Sequence, residues 1–132
     1  MKIQFISLQE HSDERGSLIV LEESNNIPFE IKRVYYIFNT KEGVRRGFHA
    51  HRKLFQVAIA VKGSCHFLLD DGLEQRNIVL TDPSKGLLIA PMVWHEMYNF
   101  SDDCILMLLA NDIYDESDYL RNYEYFLKEL SI

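Results

Sequence analysis

Residues 45–53 read Arg-Arg-Gly-Phe-His-Ala-His-Arg-Lys, four cations and two histidines in nine positions with no acid among them. On a β-strand His49 and His51 point to one face, about 6.5–7 Å apart along the backbone. Two ring nitrogens so placed can bind a metal, or they can move protons near neutral pH, where imidazole titrates. Simple alternation puts Arg45 and Gly47 on the histidine face and sends Arg46 and Phe48 to the other. A turn or bulge around Gly47 would re-aim Arg46, so parity leaves open which arginine enters a pocket. The plainer alternative is a surface patch of solvated cations with incidental histidines. An His-x-His flanked by Arg and Gly inside a β barrel argues against it.

Such side chains need a rigid platform, and most of the chain reads as short strands separated by turn signals. A polar turn at 12–16 precedes a strand at 17–22, and 25–28 is a turn. Residues 31–38 are rich in β-branched and aromatic residues and end at Asn39-Thr40 and Gly43. Further strands are expected at 46–51, 55–61, 65–69, 77–80, 86–90 and 104–110. Asp70-Asp71-Gly72 is a hairpin signal, because Asp-Gly tolerates the positive φ of a tight turn. Strands this regularly spaced argue for a sandwich or a barrel that closes on itself. From Ser117 the period changes: Tyr119, Leu120, Tyr123, Phe126, Leu127 and Leu130 recur at three- and four-residue steps. That pattern predicts a helix packed on the β body, capped by Asp115 or Ser117. The cluster Asp112, Asp115, Glu116 and Asp118 then reads as favourable charge at the start of that helix.

Composition bounds the function. The 132 residues are 47% hydrophobic and 12% aromatic, enough for one core and one domain over residues 1–132. No apolar run approaches the roughly 18–20 residues of a membrane span. Lys plus Arg number 14 against 20 Asp plus Glu, a net charge of −6, which disfavours binding to nucleic acid backbones. The start, Met-Lys-Ile-Gln-Phe, has neither a long apolar stretch nor a cleavage site, so no secretory signal is expected. Cys65 and Cys104 sit in apolar runs without CxxC spacing and read as buried, reduced thiols of a cytoplasmic protein. His11 and His66 read as structural or exposed.

Gly47-Phe-His49-Ala-His51, with Gly63 further on, resembles the first cupin motif. Gly86-Leu-Leu-Ile-Ala-Pro91-Met-Val-Trp94-His95-Glu-Met-Tyr-Asn99 resembles the second, with its His-x-x-x-Asn ending. More narrowly, the chain is similar almost end to end to the small sugar 3,4-ketoisomerases that act on dTDP-4-keto-6-deoxyglucose, a WxcM-like family. Asp13-Glu-Arg-Gly-Ser-Leu18, Ile31-Lys-Arg-Val-Tyr-Tyr-Ile-Phe38, Arg46-Gly-Phe-His-Ala-His51, Gly63-Ser-Cys, Leu69-Asp-Asp-Gly72, Pro91-Met-Val-Trp-His-Glu-Met97 and Asp112-Ile-Tyr-Asp-Glu-Ser-Asp-Tyr119 carry the likeness. The expected fold is all-β, a small cupin-like jelly-roll barrel with a C-terminal helix. The resemblance also implies a homodimer, with N-terminal strands contributed across the interface. It further implies a place in bacterial deoxy- or amino-sugar biosynthesis for surface glycans.

The implied reaction moves a carbonyl from carbon 4 of the sugar to carbon 3 through an enediol and needs no redox cofactor. His49 and His51 are the acid/base pair by resemblance. Tyr35, which shares a strand face with Arg33 and Ile37, is a third candidate, its hydroxyl polarising the ketone or relaying a proton. The substrate's diphosphate calls for arginine forks: Arg46 first, then Arg33 and Arg15. Trp94 and His95 are further candidates for the substrate pocket, an indole being able to stack on a base. Metal-binding cupins supply a Glu shortly after the histidine pair, where this chain has Leu54-Phe55-Gln56. A three-histidine site of His49, His51 and His95 is the alternative, but the family resemblance implies a metal-free enzyme. The rivals are a dTDP-4-keto-sugar 3,5-epimerase, a metal-dependent cupin and a non-catalytic sugar-binding cupin.

Overall fold

β-Branched and aromatic residues at alternating positions drive most of this chain into antiparallel strands; the computed structural model describes residues 1–131. In chain order the strands are β1 (Phe5–Ser7), β2 (Glu10–Asp13), β3 (Gly16–Ile19), β4 (Arg33–Phe38), β5 (Arg46–His51) and β6 (Gln56–Lys62). They continue as β7 (Cys65–Asp70), β8 (Gln75–Leu80), β9 (Lys85–Ile89), β10 (Trp94–Tyr98), β11 (Ile105–Ala110) and β12 (Tyr119–Leu120). A 3-10 turn at Glu116–Asp118 precedes β12, and helix α1 (Tyr123–Leu130) ends the fold.

Two five-stranded sheets form, ordered β1-β9-β6-β11-β4 and β12-β5-β10-β7-β8, with β2 and β3 as a separate hairpin. The core lies between the sheets, where Ala58, Ala60, Leu106 and Leu108 of the first meet Phe67, Leu69, Leu80 and Met97 of the second. The architecture is thus a cupin-like pair of packed sheets. The expected continuous closure is not made among the described residues: the ladders stop at β1 and β4 on one sheet and at β12 and β8 on the other.

Two segments depart from the sequence expectation. Residues 10–13, read in part as a turn, pair with 16–19 across the tight Glu14-Arg15 turn. At the other end, the helix begins at Tyr123 with Asn122 as its cap, while Asp115 caps the 3-10 turn instead. Tyr119 and Leu120 are drawn into a ladder with His51 and Ala50. Backbone pairing to a strand edge outweighs the weak propensity of one extra helical turn. Helix α1 then buries Phe126 against Trp94, Ala50 and Leu120, and the Tyr123 hydroxyl donates to buried Asp70 at 2.6 Å.

The feature that shapes the inner face is a bulge between β5 and β10. His49 pairs with His95, but Gly47 pairs with Glu96 and Arg46 with Met97, so Phe48 is an extra residue on β5. Gly47 and Phe48 both take positive φ, 94° and 58°. The inserted residue reverses parity beyond it and puts Arg46, not Arg45, on the face of His49 and His51. Arg45 points outward, with Nε donating to Glu96 at 2.7 Å and its guanidinium 4.2 Å from the Tyr98 ring centre. A Cβ on Gly47 would sit 2.8 Å from the His95 carbonyl oxygen in a backbone conformation unfavourable to other residues. Gly47→Ala is therefore expected to lower stability by about 1–3 kcal/mol, measured by urea denaturation; an unchanged midpoint would contradict this account of the bulge.

Candidate active site

Three strands and one crossing segment converge on the histidines. β5 contributes Arg46, His49 and His51, β10 contributes His95 and Met97, and β4 contributes Arg33, Tyr35 and Ile37. Strict alternation on β4 sends Val34, Tyr36 and Phe38 to solvent and turns the other three inward. The stretch between β11 and α1 then crosses over and adds Tyr114, Tyr119 and Arg121. All of these contributed residues except His51 and His95 line a cavity of about 470 Å³. A second hollow of about 270 Å³ shares Arg33 and Tyr119 with it and reaches His51 beside Lys53 and Asp118.

The imidazoles form a tight cluster. Ring centres lie 4.9 Å apart for His49 and His51, 4.4 Å for His49 and His95, and 6.0 Å for His51 and His95. Tyr119 packs against both His49 and His51, at 5.0 and 4.3 Å. Each ring has its Nδ1 opposite an oxygen: the Gly47 carbonyl for His49 at 3.0 Å, the Val93 carbonyl for His95 at 3.2 Å, and the Asp118 carboxylate for His51 at 3.1 Å. The Nε2 of His51 is buried without a hydrogen-bond partner. His51 and His95 are 3% and 1% exposed.

Burial sets the charge state. It pushes the His49 imidazole below its ordinary value and holds His95 well below it. His51 is pushed down to about 4, by burial first and by neighbouring His49 next, against the opposing pull of Asp118. Desolvation disfavours the cation, so the cluster is neutral at pH 7. One ligand atom from each ring lies within 4.8 Å of the others. That donor set, three neutral nitrogens without a carboxylate, is one that can hold a zinc-like ion as well as move protons.

Around this neutral floor stand the cations. Arg46 is exposed at the mouth. Arg33 stacks its guanidinium near Tyr35 and Tyr114, at 5.4 and 5.7 Å, and its Nε is buried without a partner. Arg121 lies 4.2 Å over the Tyr119 ring and donates to Glu116 at 2.7 Å. The Tyr35 hydroxyl accepts a hydrogen bond from Gln56 at 2.7 Å, leaving its own proton free for the cavity. Burial raises the Tyr35 pKa above its ordinary value, which keeps it protonated.

Of the residues singled out from sequence, the structure brings His49, His51, His95, Tyr35, Arg46 and Arg33 together. It does not bring Arg15 or Trp94 there. Arg15 sits on the β2–β3 hairpin, exposed and paired with Asp13. Trp94 faces away from its neighbour His95 by strand alternation and packs under α1, its indole N–H donating to Glu96 at 2.8 Å. Along the chain Tyr119 falls on an expected helix face and Asp118 in the charge at that helix's start, while Tyr114 and Arg121 are not singled out. The acidic cluster divides its work accordingly: Asp115 caps the 3-10 turn, Glu116 holds Arg121, and Asp118 reaches His51. None of these serves the start of α1.

With the geometry in place, comparison with known proteins agrees with it. Residues 1–131 match the model of the family described as FdtA: WxcM-like, C-terminal. The chain is 52% identical over 131 residues to the TDP-4-oxo-6-deoxy-alpha-D-glucose-3,4-oxoisomerase of Aneurinibacillus thermoaerophilus, covering 99% of this chain and 94% of the relative. Among solved structures, a 3,4-ketoisomerase from Helicobacter canadensis is 45% identical with a TM-score of 0.96, covering 100% of this chain and 99% of that one. QdtA, a sugar 3,4-ketoisomerase from Thermoanaerobacterium thermosaccharolyticum solved with TDP, is 43% identical with a TM-score of 0.96, over 98% of this chain and 94% of its own. An epimerase from Mycobacterium tuberculosis, at 17% identity and a TM-score of 0.74 over 90% of this chain and 72% of that one, shares the fold alone. The chain belongs to the WxcM-like FdtA family of cupin-fold proteins.

Proposed function

We propose that this chain is a nucleotide-sugar 3,4-ketoisomerase, moving the keto group of a TDP-linked 4-keto-6-deoxyglucose from carbon 4 to carbon 3. The observation that carries this reading is a floor of three neutral imidazoles beneath a rim of guanidiniums. Such a site can take up and return protons beside a bound diphosphate. His49 lines the main cavity with Tyr35 and Arg46, so its Nε2 is the base nearest a bound sugar ring. Removal of the carbon-3 proton, acidified by the adjacent ketone, leaves an enediolate. A proton returned to carbon 4, with transfer of a hydroxyl proton, completes the isomerisation, and no electrons leave the substrate. Tyr35 directs its free O–H as a hydrogen bond to the developing oxyanion, and His51 supplies the second proton-transfer group. His95 confines His49 through ring contact. Arg46, Arg33 and Arg121 form the diphosphate clamp.

The reading includes no metal and no cofactor. Gln56, in the Leu54-Phe55-Gln56 stretch where a metal-binding cupin would place its Glu, is occupied with the Tyr35 hydroxyl. It also includes a homodimer in the cytoplasm. Exposed Val34, Tyr36 and Phe38 stripe the unpaired edge strand β4, and the free β2–β3 hairpin is able to carry Arg15 to a partner's cavity. The buried free thiols of Cys65 and Cys104 suit a reducing compartment. Sedimentation as a 15.5 kDa monomer would remove the dimer from this account.

Incubation of chelator-treated protein with TDP-4-keto-6-deoxyglucose, followed by NMR, is expected to yield the 3-keto isomer. Recovery of a 4-keto product inverted at carbon 3 or 5 would instead indicate an epimerase, and binding without turnover a sugar sensor. His49→Asn and His51→Asn are each expected to reduce kcat by about 10²–10⁴-fold. Arg46→Ala should raise KM by about 10–100-fold with little effect on kcat, because the phosphates do not react.

The acid limb of activity follows from burial. Since desolvation lowers both catalytic imidazoles, their lone pairs stay free at pH 7. The fall in kcat/KM is expected below the ordinary value of 6.5, extending toward about 4. A limb centred at or above 6.5 in the pH–rate profile would contradict this.

A further inference from the structure

We propose that Asp118 is a positioning residue for this reaction: its carboxylate locks His51 in the tautomer whose Nε2 is bare. The tautomer stands on geometry alone, and its effect on turnover rests on the ketoisomerase reading. Asp118 Oδ2 lies 3.1 Å from His51 Nδ1. An ionised carboxylate only accepts hydrogen bonds, so Nδ1 carries the proton and Nε2 of the neutral ring keeps its lone pair. That Nε2 is the nitrogen left buried and unpartnered by the protein. Buried polar atoms are nearly always paired in a native fold, and His51 lines the hollow of about 270 Å³ beside Lys53 and Asp118, so its unpaired Nε2 is free to meet a ligand atom.

Asp118 is distinct from the oxygens behind the other two rings. His49 and His95 rest on backbone carbonyls, whereas His51 alone has a negative charge at its back. When a substrate proton moves to Nε2, the new N–H bond makes an imidazolium. The Asp118 carboxylate balances the ring's charge, and the proton later returns to the sugar from the same nitrogen.

The carboxylate is itself held firmly. Its Oδ1 accepts the Lys53 backbone N–H at 2.8 Å, and its carbonyl accepts the Arg52 N–H at 2.9 Å. The Arg52 guanidinium ties the same turn down through the Ser117 carbonyl at 2.6 Å and Glu129 at 2.7 Å. A rotamer fixed in this way can dictate which nitrogen of its partner bears hydrogen.

The test reads the tautomer directly. In full-length protein carrying ¹⁵N-labelled histidine, long-range ¹H–¹⁵N spectra are expected to show His51 protonated at Nδ1 and bare at Nε2. In Asp118→Asn the side-chain amide can donate to Nδ1, which inverts the tautomer. There kcat should fall about 10²–10⁴-fold, with KM little changed, and Asp118→Glu should recover part of the loss. A wild-type His51 protonated at Nε2 would overturn the proposal whether or not the variants fold. So would an Asp118→Asn protein that keeps both its Nδ1–H tautomer and its turnover, or one that loses only thermal stability, as expected of a mere loop tether. Turnover of the wild-type protein tests the ketoisomerase reading separately, since its absence would leave the His51 tautomer standing.

Discussion

The pairing of β5 with β10 is the constraint on which the site depends. It sets His49 opposite His95 and, one step further along, inserts Phe48 so that Arg46 crosses to the inner face. Without the insertion, an imidazole and a guanidinium three residues apart would point to opposite sides of the sheet. With it, one short strand turns two imidazoles and an arginine to the same face of the sheet. The conformational cost is confined to Gly47, which tolerates a positive φ, and to Phe48, whose side chain is left largely in solvent.

A second principle is the division of the cavity into a neutral floor and a charged rim. The histidines are packed against one another and against Tyr119, so they are poorly solvated and their neutral forms are favoured. The arginines stand further out, where solvation or a phosphate can meet their charge. This layering suits a substrate whose reacting end is a small sugar and whose other end is a diphosphate. It also explains how an acidic protein presents a cationic mouth: Glu116 and Glu96 engage Arg121 and Arg45, while Arg46 and Arg33 have no ion-pair partner among the described residues.

The segment between β11 and α1 ties these layers to the rest of the molecule. It is anchored by its own 3-10 turn, by the β12 ladder to β5 and by the Arg52 contacts at its back. Helix α1 completes the anchoring by burying Phe126 over Trp94 and Ala50, the outer faces of the two strands that carry the histidines. The fold is one that hosts many chemistries, and the crossing segment adds Tyr114, Tyr119 and Arg121 to this cavity.

How much of this was legible in the sequence follows from the range of the forces involved. Alternation is local, so the shared face of His49 and His51, the shared face of Arg33 and Tyr35, and the Asp-Gly hairpin could all be read along the chain. The motif strings around 46–51 and 86–99 were enough to indicate the family and its fold. Parity across Gly47 could not be resolved, because a bulge is decided by the partner strand and not by the bulged one. The destination of Trp94, the exposed place of Arg15 within one chain, and the contact of Asp118 with His51 across 67 residues were likewise decided only in three dimensions. There, pairing with β5 and packing under α1 outweighed the helical period of 117–130, because long-range burial and hydrogen bonding contribute more than the propensity of a single turn.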